Sequence, residues 1–460
     1  MSRILLAIMG FAALFAGCLL ARALYLIPDL PLWYCLLPLI LTILAFGAMV
    51  NLVHLRWAMI QLTTAFFATL ALTFVVPRIG TLPAKTGNDG LVTVPLHIPP
   101  AWSGTIKPES PILQTVPGFE ISVFASGLTG PRMLAFSPAG DLYVSLPRAG
   151  RIMVLPDENH DGVADRHMTF ADDLDLPHGL AFAGQDLIAA ENGRLIRLPD
   201  GNTDLRADRI EVLSNDLPVG GGHWTRSVAI GPTGDYFVAA GSSCNACMEK
   251  DPRRAAILRI PAGGGQAKIH ARGLRNSVGL AFHPATGELW ASNNGRDRLG
   301  DDLPPEEINR IVPGGDYGWP FCYGRRIPDP DYGSVSRCRQ TLPPEVEMQA
   351  HSAPLGITFG HKLAFPKAYR DMLYVAFHGS WNRSIPTGYK LVGIPVENGR
   401  PTGPPQDIVR GWLQGRRAWG RPVSPAVGPD GALYLSDDRA GLIYRITAME
   451  EATKITEKSN

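Results

Sequence analysis

From Pro117 onward one phrase recurs six times, and a chain built on such a repeat has few ways to bury its strands. The phrase is a Gly/Pro lead-in, an apolar strand, a turn containing Pro and Gly, and a second apolar strand. In several copies a third strand follows. The copies begin at Gly130, Leu176, Thr225, Asn276, Ala353 and Arg421, and third strands read GRIMVLP, GRLIRLP, AAILRIP, EINRIVP and GLIYRIT. Turns of the form Pro-x-Gly-Asp or Pro-x-Gly-Ala are hairpin chemistry. Repeating small sheets radially leaves only short, protected strand edges. The repeat therefore predicts an all-β, six-bladed β-propeller over 117–448, with a polar tail at 449–460. The segment Pro117–Leu128 supplies the outer strand that closes the ring onto the last copy. The intervals after the fourth and fifth copies are the longest, so those blades carry extended loops, which gather on one face.

The first 79 residues differ in kind. Three apolar runs, Ile4–Ile27, Leu32–Val53 and Trp57–Val76, are each long enough to cross a hydrocarbon core of about 30 Å. Up to Pro77 the formal charges are Arg3, Arg22, Asp29 and Arg56 alone. The expectation is a membrane anchor of three transmembrane α-helices over 1–79. Arg3, His54 and Arg56 then mark the inner side, with the propeller outside. This implies an inner-membrane location with a periplasmic propeller. Residues 80–116 carry Pro83, Pro95, Pro99, Pro100, Pro108 and Pro111 and read as an extended linker. With 43 Lys and Arg against 42 Asp and Glu, the chain has no basic excess to neutralise phosphates, so nucleic acid is not an expected partner.

Four cysteines fall in the repeat region: Cys244, Cys247, Cys322 and Cys338. An even count in an external domain suggests disulfides. Each of Cys244–Cys247 and Cys322–Cys338 shares one long loop, so these pairings are expected among the three possible. A four-cysteine zinc site is the alternative.

Several constellations could carry chemistry. His223 sits where a Gly-rich stretch leads into the third copy, Arg275 and Asn276 begin the fourth, and Arg421 begins the sixth. If lead-ins converge on one face, these form a basic cluster with a titratable His, suited to an anionic ligand. The loop after the fourth copy holds Asp297, Asp301, Asp302, Glu306 and Glu307, oxygen donors of the kind Ca²⁺ prefers. Asp157, Asn159, Asp161 and Asp165 have EF-hand-like spacing, but Met168 stands in place of the closing Glu, and an inter-blade turn is the plainer reading. The stretch His378–Lys390 mixes aromatic and basic residues able to stack on and pair with a flat polyanion.

On these residues the propeller resembles the glucose/sorbosone dehydrogenase family, quinoproteins that bind pyrroloquinoline quinone (PQQ) and Ca²⁺. The strongest marks are LRNSVGLAFHPATGELWAS at 274, EINRIVPGGDYGWP at 307 and GRPVSPAVGPDGALYLSDD at 420. GGHWTRSVAIGPTG, GSSCNACMEKDPRRAAI and FHGSWNRSIPTGYK are similar to its sorbosone branch. The resemblance implies His223 as general base and Arg275 with Asn276 on the quinone. It implies Arg421 from the last blade as a further cofactor contact, with Arg383 or Lys390 as a cation for the cofactor's carboxylates. It also implies the backbone carbonyls of Gly295 and Arg296 on Ca²⁺, with Asp301 and Asp302 as weaker metal candidates. A small sugar is the implied substrate, with membrane quinone as a possible electron acceptor. Two positions depart from the glucose branch: Val278 stands where that branch has Gln, and Asn293-Asn294-Gly295-Arg296 replaces Glu-His-Gly-Pro. Two other readings remain, a Ca²⁺-dependent lactonase using groups such as Glu191 and Asn192, and a non-catalytic binding propeller.

Overall fold

The computed structural model describes residues 90–104, 106 and 112–449. They fall within one compact unit beginning at Gly90. The turn chemistry of the repeat acts as expected. In the copies at Gly130, Thr225 and Arg421 a short loop closes each hairpin. Ser137 N donates to Asp141 O, Gly231 N to Asp235 O and Gly428 N to Ala432 O, each at 2.8–2.9 Å. The glycine inside each loop has positive φ (Gly140 105°, Gly234 85°, Gly431 74°), a region that penalises a Cβ.

Among the described residues, five sheets have four antiparallel strands. The first blade comprises Leu134–Phe136, Leu142–Leu146, Arg151–Leu155 and Met168–Ala171. The second runs from Gly179–Ala183 out to Glu211–Ser214, the third from Arg226–Ile230 to Lys268–Arg272, and the fourth from Leu280–Phe282 to Val346–Met348. The last blade is Pro422–Val427, Leu433–Asp437 and Leu442–Ala448, completed by Phe119–Ala125 from the other end of the repeat region. That N-terminal strand pairs Phe119 with Ala448 and Ile121 with Ile446, so the ring is closed as Pro117–Leu128 led us to expect.

Between the fourth and last blades lies one large sheet of seven strands. It starts at Pro354–Phe359 and runs through Met372–Phe377, Lys390–Glu397 and Gln406–Arg410. Beyond that edge it takes up Ile112–Thr115 and then Val92–Pro95, with Arg400–Pro401 pairing at the side. The expectation of six like blades is thereby corrected: five four-stranded blades are present, and the copy at Ala353 lies in this larger sheet. The physical reason is the edge strand Gln406–Arg410. Its outer hydrogen-bonding groups are taken by Ile112–Thr115 (Gln114 pairs with Arg410), and Leu113 and Leu96 are buried in the core beneath. Part of the Pro-rich stretch expected as a linker is thus strand.

The three apolar runs lie outside the described residues. Among the described residues no helix is long and apolar enough to cross a membrane. The expected transmembrane helices and inner-membrane, periplasmic location therefore have no structural support and are withdrawn.

The first strands of the sheets touch in succession around a central axis. Two glycines permit that approach: a Cβ on Gly179 would meet Val228 N at 2.4 Å, and one on Gly279 would meet Leu355 O at 2.3 Å. Apolar clusters fill the space between neighbouring sheets, with Trp290 and Phe359 joining the fourth blade to the large sheet. This rigid stacking fixes where the lead-in residues end.

Candidate functional site

The lead-in to each first strand is the stretch that the sequence singled out, and the structure brings several lead-ins to one central cavity of about 460 Å³. His223, Asn276 and Arg421 line it. Val278 and Leu355 supply apolar wall, and Trp224 stands beside His223.

Four arginines, Arg132, Arg148, Arg421 and Arg439, face this space together with one carboxylate, Asp438. Asp438 is held by Arg132 at 2.7 Å and by His378 Nε2 at 2.9 Å. Burial pushes its carboxyl upward, but His378 and Arg132 outweigh burial and hold it well below the usual carboxylate range. Arg132 also lies 5.9 Å from the Trp224 ring centroid. Arg421 donates to the carbonyls of His378 and Gly379 at 3.0 and 2.9 Å and lies over Tyr389. The cavity is therefore a cationic, half-apolar chamber.

His223 is the best-placed base. Its Nδ1 lies 2.9 Å from both the carbonyl oxygen and the hydroxyl of Ser242, which places its proton on Nδ1 and leaves Nε2 for the cavity. Burial, with Arg275 adding to it, lowers its pKa to about 4, so the ring is neutral at ordinary pH. Asn276 has a buried Oδ1 with no hydrogen-bond partner. Such an atom on a cavity wall is suited to receive a ligand donor.

The other expected residues are placed differently. Arg275 is buried beside the cavity, and its guanidinium donates to Gly295 O at 2.6 Å, Asn245 O at 2.8 Å and Asp297 at 2.9 Å. Arg296 pairs with Asp329 and Asp331 at 2.8 and 2.9 Å. Asp301 accepts from Ser384, and Arg383 donates to Asp301 O and sits 3.3 Å from Asp302. These contacts clasp the fourth-blade loop to the large sheet, away from the cavity wall. Lys390 pairs with Asp407 at 2.6 Å, so neither it nor Arg383 lines the chamber. Glu306 and Glu307 are buried. Glu306 accepts from Gly295 N at 2.7 Å, and burial lifts it to about 8. Glu191 accepts from Asp175 N at 2.8 Å and Arg194 at 2.6 Å, and it does not line the cavity.

Both expected disulfides are present, Cys244–Cys247 and Cys322–Cys338. In the loop at Asp157 the carboxylates turn back on their own backbone, with Asp161 N and Gly162 N bonded to Asp157. The stretch from Asp200 to Asp208 repeats the pattern, with Asp204 N and Leu205 N bonded to Asp200.

His378, named in the sequence among the residues able to stack on and pair with a flat polyanion, lines the cavity, whereas Arg132, Arg148, Trp224, Asp438 and Arg439 were not singled out. A signal was available. Arg132, like Arg421, lies in the short stretch just before the first strand of its copy, and His378 and Asp438 each directly follow the second strand of their copy.

Comparison with known proteins gives a consistent picture. The TrAA12-like family matches residues 113–329 and 329–449. An uncharacterized protein of Borreliella burgdorferi is 38% identical over 200 residues, 42% of this chain and 52% of that one, so the match spans about half of that relative. A protein of Hypocrea jecorina described as a pyrroloquinoline quinone-dependent sugar dehydrogenase is 25% identical over 62% of this chain and 76% of its own length. Among solved structures, the holo form of the pyranose dehydrogenase PQQ domain from Coprinopsis cinerea superposes with TM-score 0.64. It shares 22% identity and covers 76% of this chain and all of that one. A calcium structure of a Trichoderma reesei carbohydrate-active enzyme of family AA12 has TM-score 0.63 at 23% identity, covering 73% of this chain and 96% of its own. At these identities the two superpositions establish the fold alone.

Proposed function

This chain belongs to the TrAA12-like family, and on that footing we propose that it is a PQQ-dependent dehydrogenase that oxidises a small sugar. The observation that carries the reading is the cavity where Arg132, Arg148, Arg421 and Arg439 face a single carboxylate beside a neutral His223. The sugar dehydrogenase of Hypocrea jecorina and the PQQ domain of Coprinopsis cinerea support the choice of cofactor.

The residues present fit PQQ, a flat quinone bearing several carboxylates. The arginines supply cations for those carboxylates, Trp224 and Leu355 supply apolar surface, and the unpaired Oδ1 of Asn276 supplies an acceptor. When bound, the quinone supplies a hydride acceptor. His223 Nε2 takes the proton from the substrate hydroxyl as the C–H hydrogen leaves with its electron pair. General-base catalysis of this kind contributes about 10²–10⁴. Ser242 holds the imidazole so that Nε2 stays bare. Val278 and Leu355 help to keep water from the reacting centre.

Ca²⁺ accompanies PQQ in this reading, supported by the calcium structure of the Trichoderma reesei enzyme. Of the carbonyls assigned to it, that of Gly295 already accepts from Arg275 at 2.6 Å. An ion at that carbonyl requires the guanidinium to yield.

The substrate class is a reducing-sugar lactol or a hydrated aldehyde such as sorbosone, which present a C–H and an O–H on one carbon. The test is to add PQQ and Ca²⁺ to purified protein with a dye acceptor and a panel of aldoses and sorbosone. Dye reduction that requires both sugar and PQQ supports the reading. Its absence across the panel defeats it.

A further inference from the structure

The last strand residues of the third blade's second strand, Tyr236–Ala240, lead straight into the four-residue ring that the Cys244–Cys247 disulfide closes. This ring lies outside the cavity wall, yet it bonds Ser242, which holds the cavity residue His223, and Arg275, which is buried beside the cavity.

One arm reaches His223. Ser242 N donates to Arg275 O at 2.7 Å, which anchors its backbone. Its hydroxyl donates to Cys244 O at 2.6 Å, inside the ring. That bond commits the only hydroxyl proton, so Ser242 Oγ can only accept from His223 Nδ1. The Ser242 carbonyl is the second acceptor for the same N–H, and both distances are 2.9 Å. A chain of bonds thus runs from the imidazole through Ser242 to the ring.

The other arm reaches Arg275. Asn245 O accepts from Arg275 Nε at 2.8 Å, and Asn245 Oδ1 accepts from Arg275 Nη2 at 2.9 Å and from Asp297 N at 2.8 Å. Asn245 Nδ2 donates to Asp297 O at 3.1 Å. Ala246 O accepts from Tyr332 Oη–H at 3.1 Å. The Arg275 side chain is 5% exposed, so its bonds to Asn245 form where water competes little, whereas the Tyr332 bond is exposed.

We propose that the Cys244–Cys247 ring is a positioning device for the site, orienting the His223 imidazole through Ser242 and the Arg275 guanidinium through Asn245. The proposal rests on the reading of His223 as the base. Ser242 and Asn245 are positioning residues. The covalent closure matters because a four-residue ring has little freedom to turn its carbonyls, whereas an open loop must lose that freedom each time the site is assembled. Outer partners that orient metal-ligating side chains typically change function by about 10- to 100-fold when removed, and the same scale is expected for Ser242 and Asn245.

The experiment has one readout without cofactor and one with it. Histidine-labelled protein, free of PQQ, is compared by ¹⁵N NMR as wild type and as Cys244→Ser/Cys247→Ser, Ser242→Ala and Asn245→Ala. Wild type should show His223 in the single tautomer protonated at Nδ1. The double serine variant should show exchange between both tautomers, and Ser242→Ala, lacking one of two acceptors, an intermediate state. Asn245→Ala should keep the wild-type tautomer but bind PQQ about tenfold more weakly in an absorbance titration. With PQQ, sugar and dye, the double serine variant should lose about 10- to 100-fold in kcat. A folded double variant with one tautomer and unchanged kcat overturns the proposal. If that variant does not fold, wild-type behaviour of both Ser242→Ala and Asn245→Ala overturns it. Should wild type oxidise no sugar while the NMR arm behaves as stated, the proposed function fails and the positioning of His223 stands.

Discussion

Arg132 and Asp438 meet at 2.7 Å although 306 residues separate them in sequence, one from the lead-in to the first blade and the other from the end of a strand in the last. The pair therefore ties the two blades that close the ring. Asp438 also receives His378, so one carboxylate orders two cavity residues from neighbouring sheets. Its surroundings are cationic, and its side chain is 20% exposed.

Replacing Asp438 by Asn leaves the Arg132 guanidinium without its counter-charge. Breaking one side of a largely buried pair costs about 3 kcal/mol. We expect Asp438→Asn to lower the unfolding free energy by that order in urea titration, with an unchanged slope. A midpoint equal to wild type would contradict the structural weight placed on this pair.

His223 is held neutral. Its folded pKa lies at about 4, below the ordinary histidine value, because burial and neighbouring arginines oppose the charged form. A base works only when unprotonated, so the proton must be absent for turnover. Activity is then present above pH 4 and falls as pH drops through that value. The acid limb of kcat/KM should fall near pH 4, well below the ordinary imidazole value of about 6.5. A limb at the ordinary value would remove His223 from the role.

Substituting His223 by Ala should lower kcat by about 10²–10⁴ while leaving the PQQ absorbance titration within about twofold of wild type. Equal losses in cofactor binding and turnover would instead mark His223 as a cofactor ligand.

Arg148 and Arg439 are exposed at the cavity. Their contribution should be long-range and screened. The double variant Arg148→Ala/Arg439→Ala is expected to bind PQQ about fivefold more weakly at low salt. The difference should vanish near 1 M salt, where the Debye length falls to about 3 Å. A salt-independent difference would point to direct pairing.

Much of the propeller was legible because each copy of the repeat carries its own strand pair and turn. Gly140, Gly234 and Gly431 mark those turns by a conformation that sequence alone can suggest. The closing strand at Phe119 was legible for the same reason. The merger of Ile112–Thr115 into the large sheet was not, because a Pro-rich stretch reads as linker until an open strand edge is in view. In the site, His223, Asn276 and Arg421 could be found because lead-in positions converge. Arg383, Lys390, Asp301 and Asp302 could not be judged from residue type. Their charges are satisfied by one another or by Asp407, and only contacts distant in sequence reveal that. Asp438 was passed over because the second of two adjacent acids at a strand end gives no sign of facing four arginines.

The occupant of the central cavity decides what the propeller does. Purified protein titrated with PQQ and followed by absorbance should show saturable, stoichiometric binding, and adding a reducing sugar should then bleach the quinone band. A change that never saturates, or a bound quinone that no sugar reduces, would contradict the proposed function.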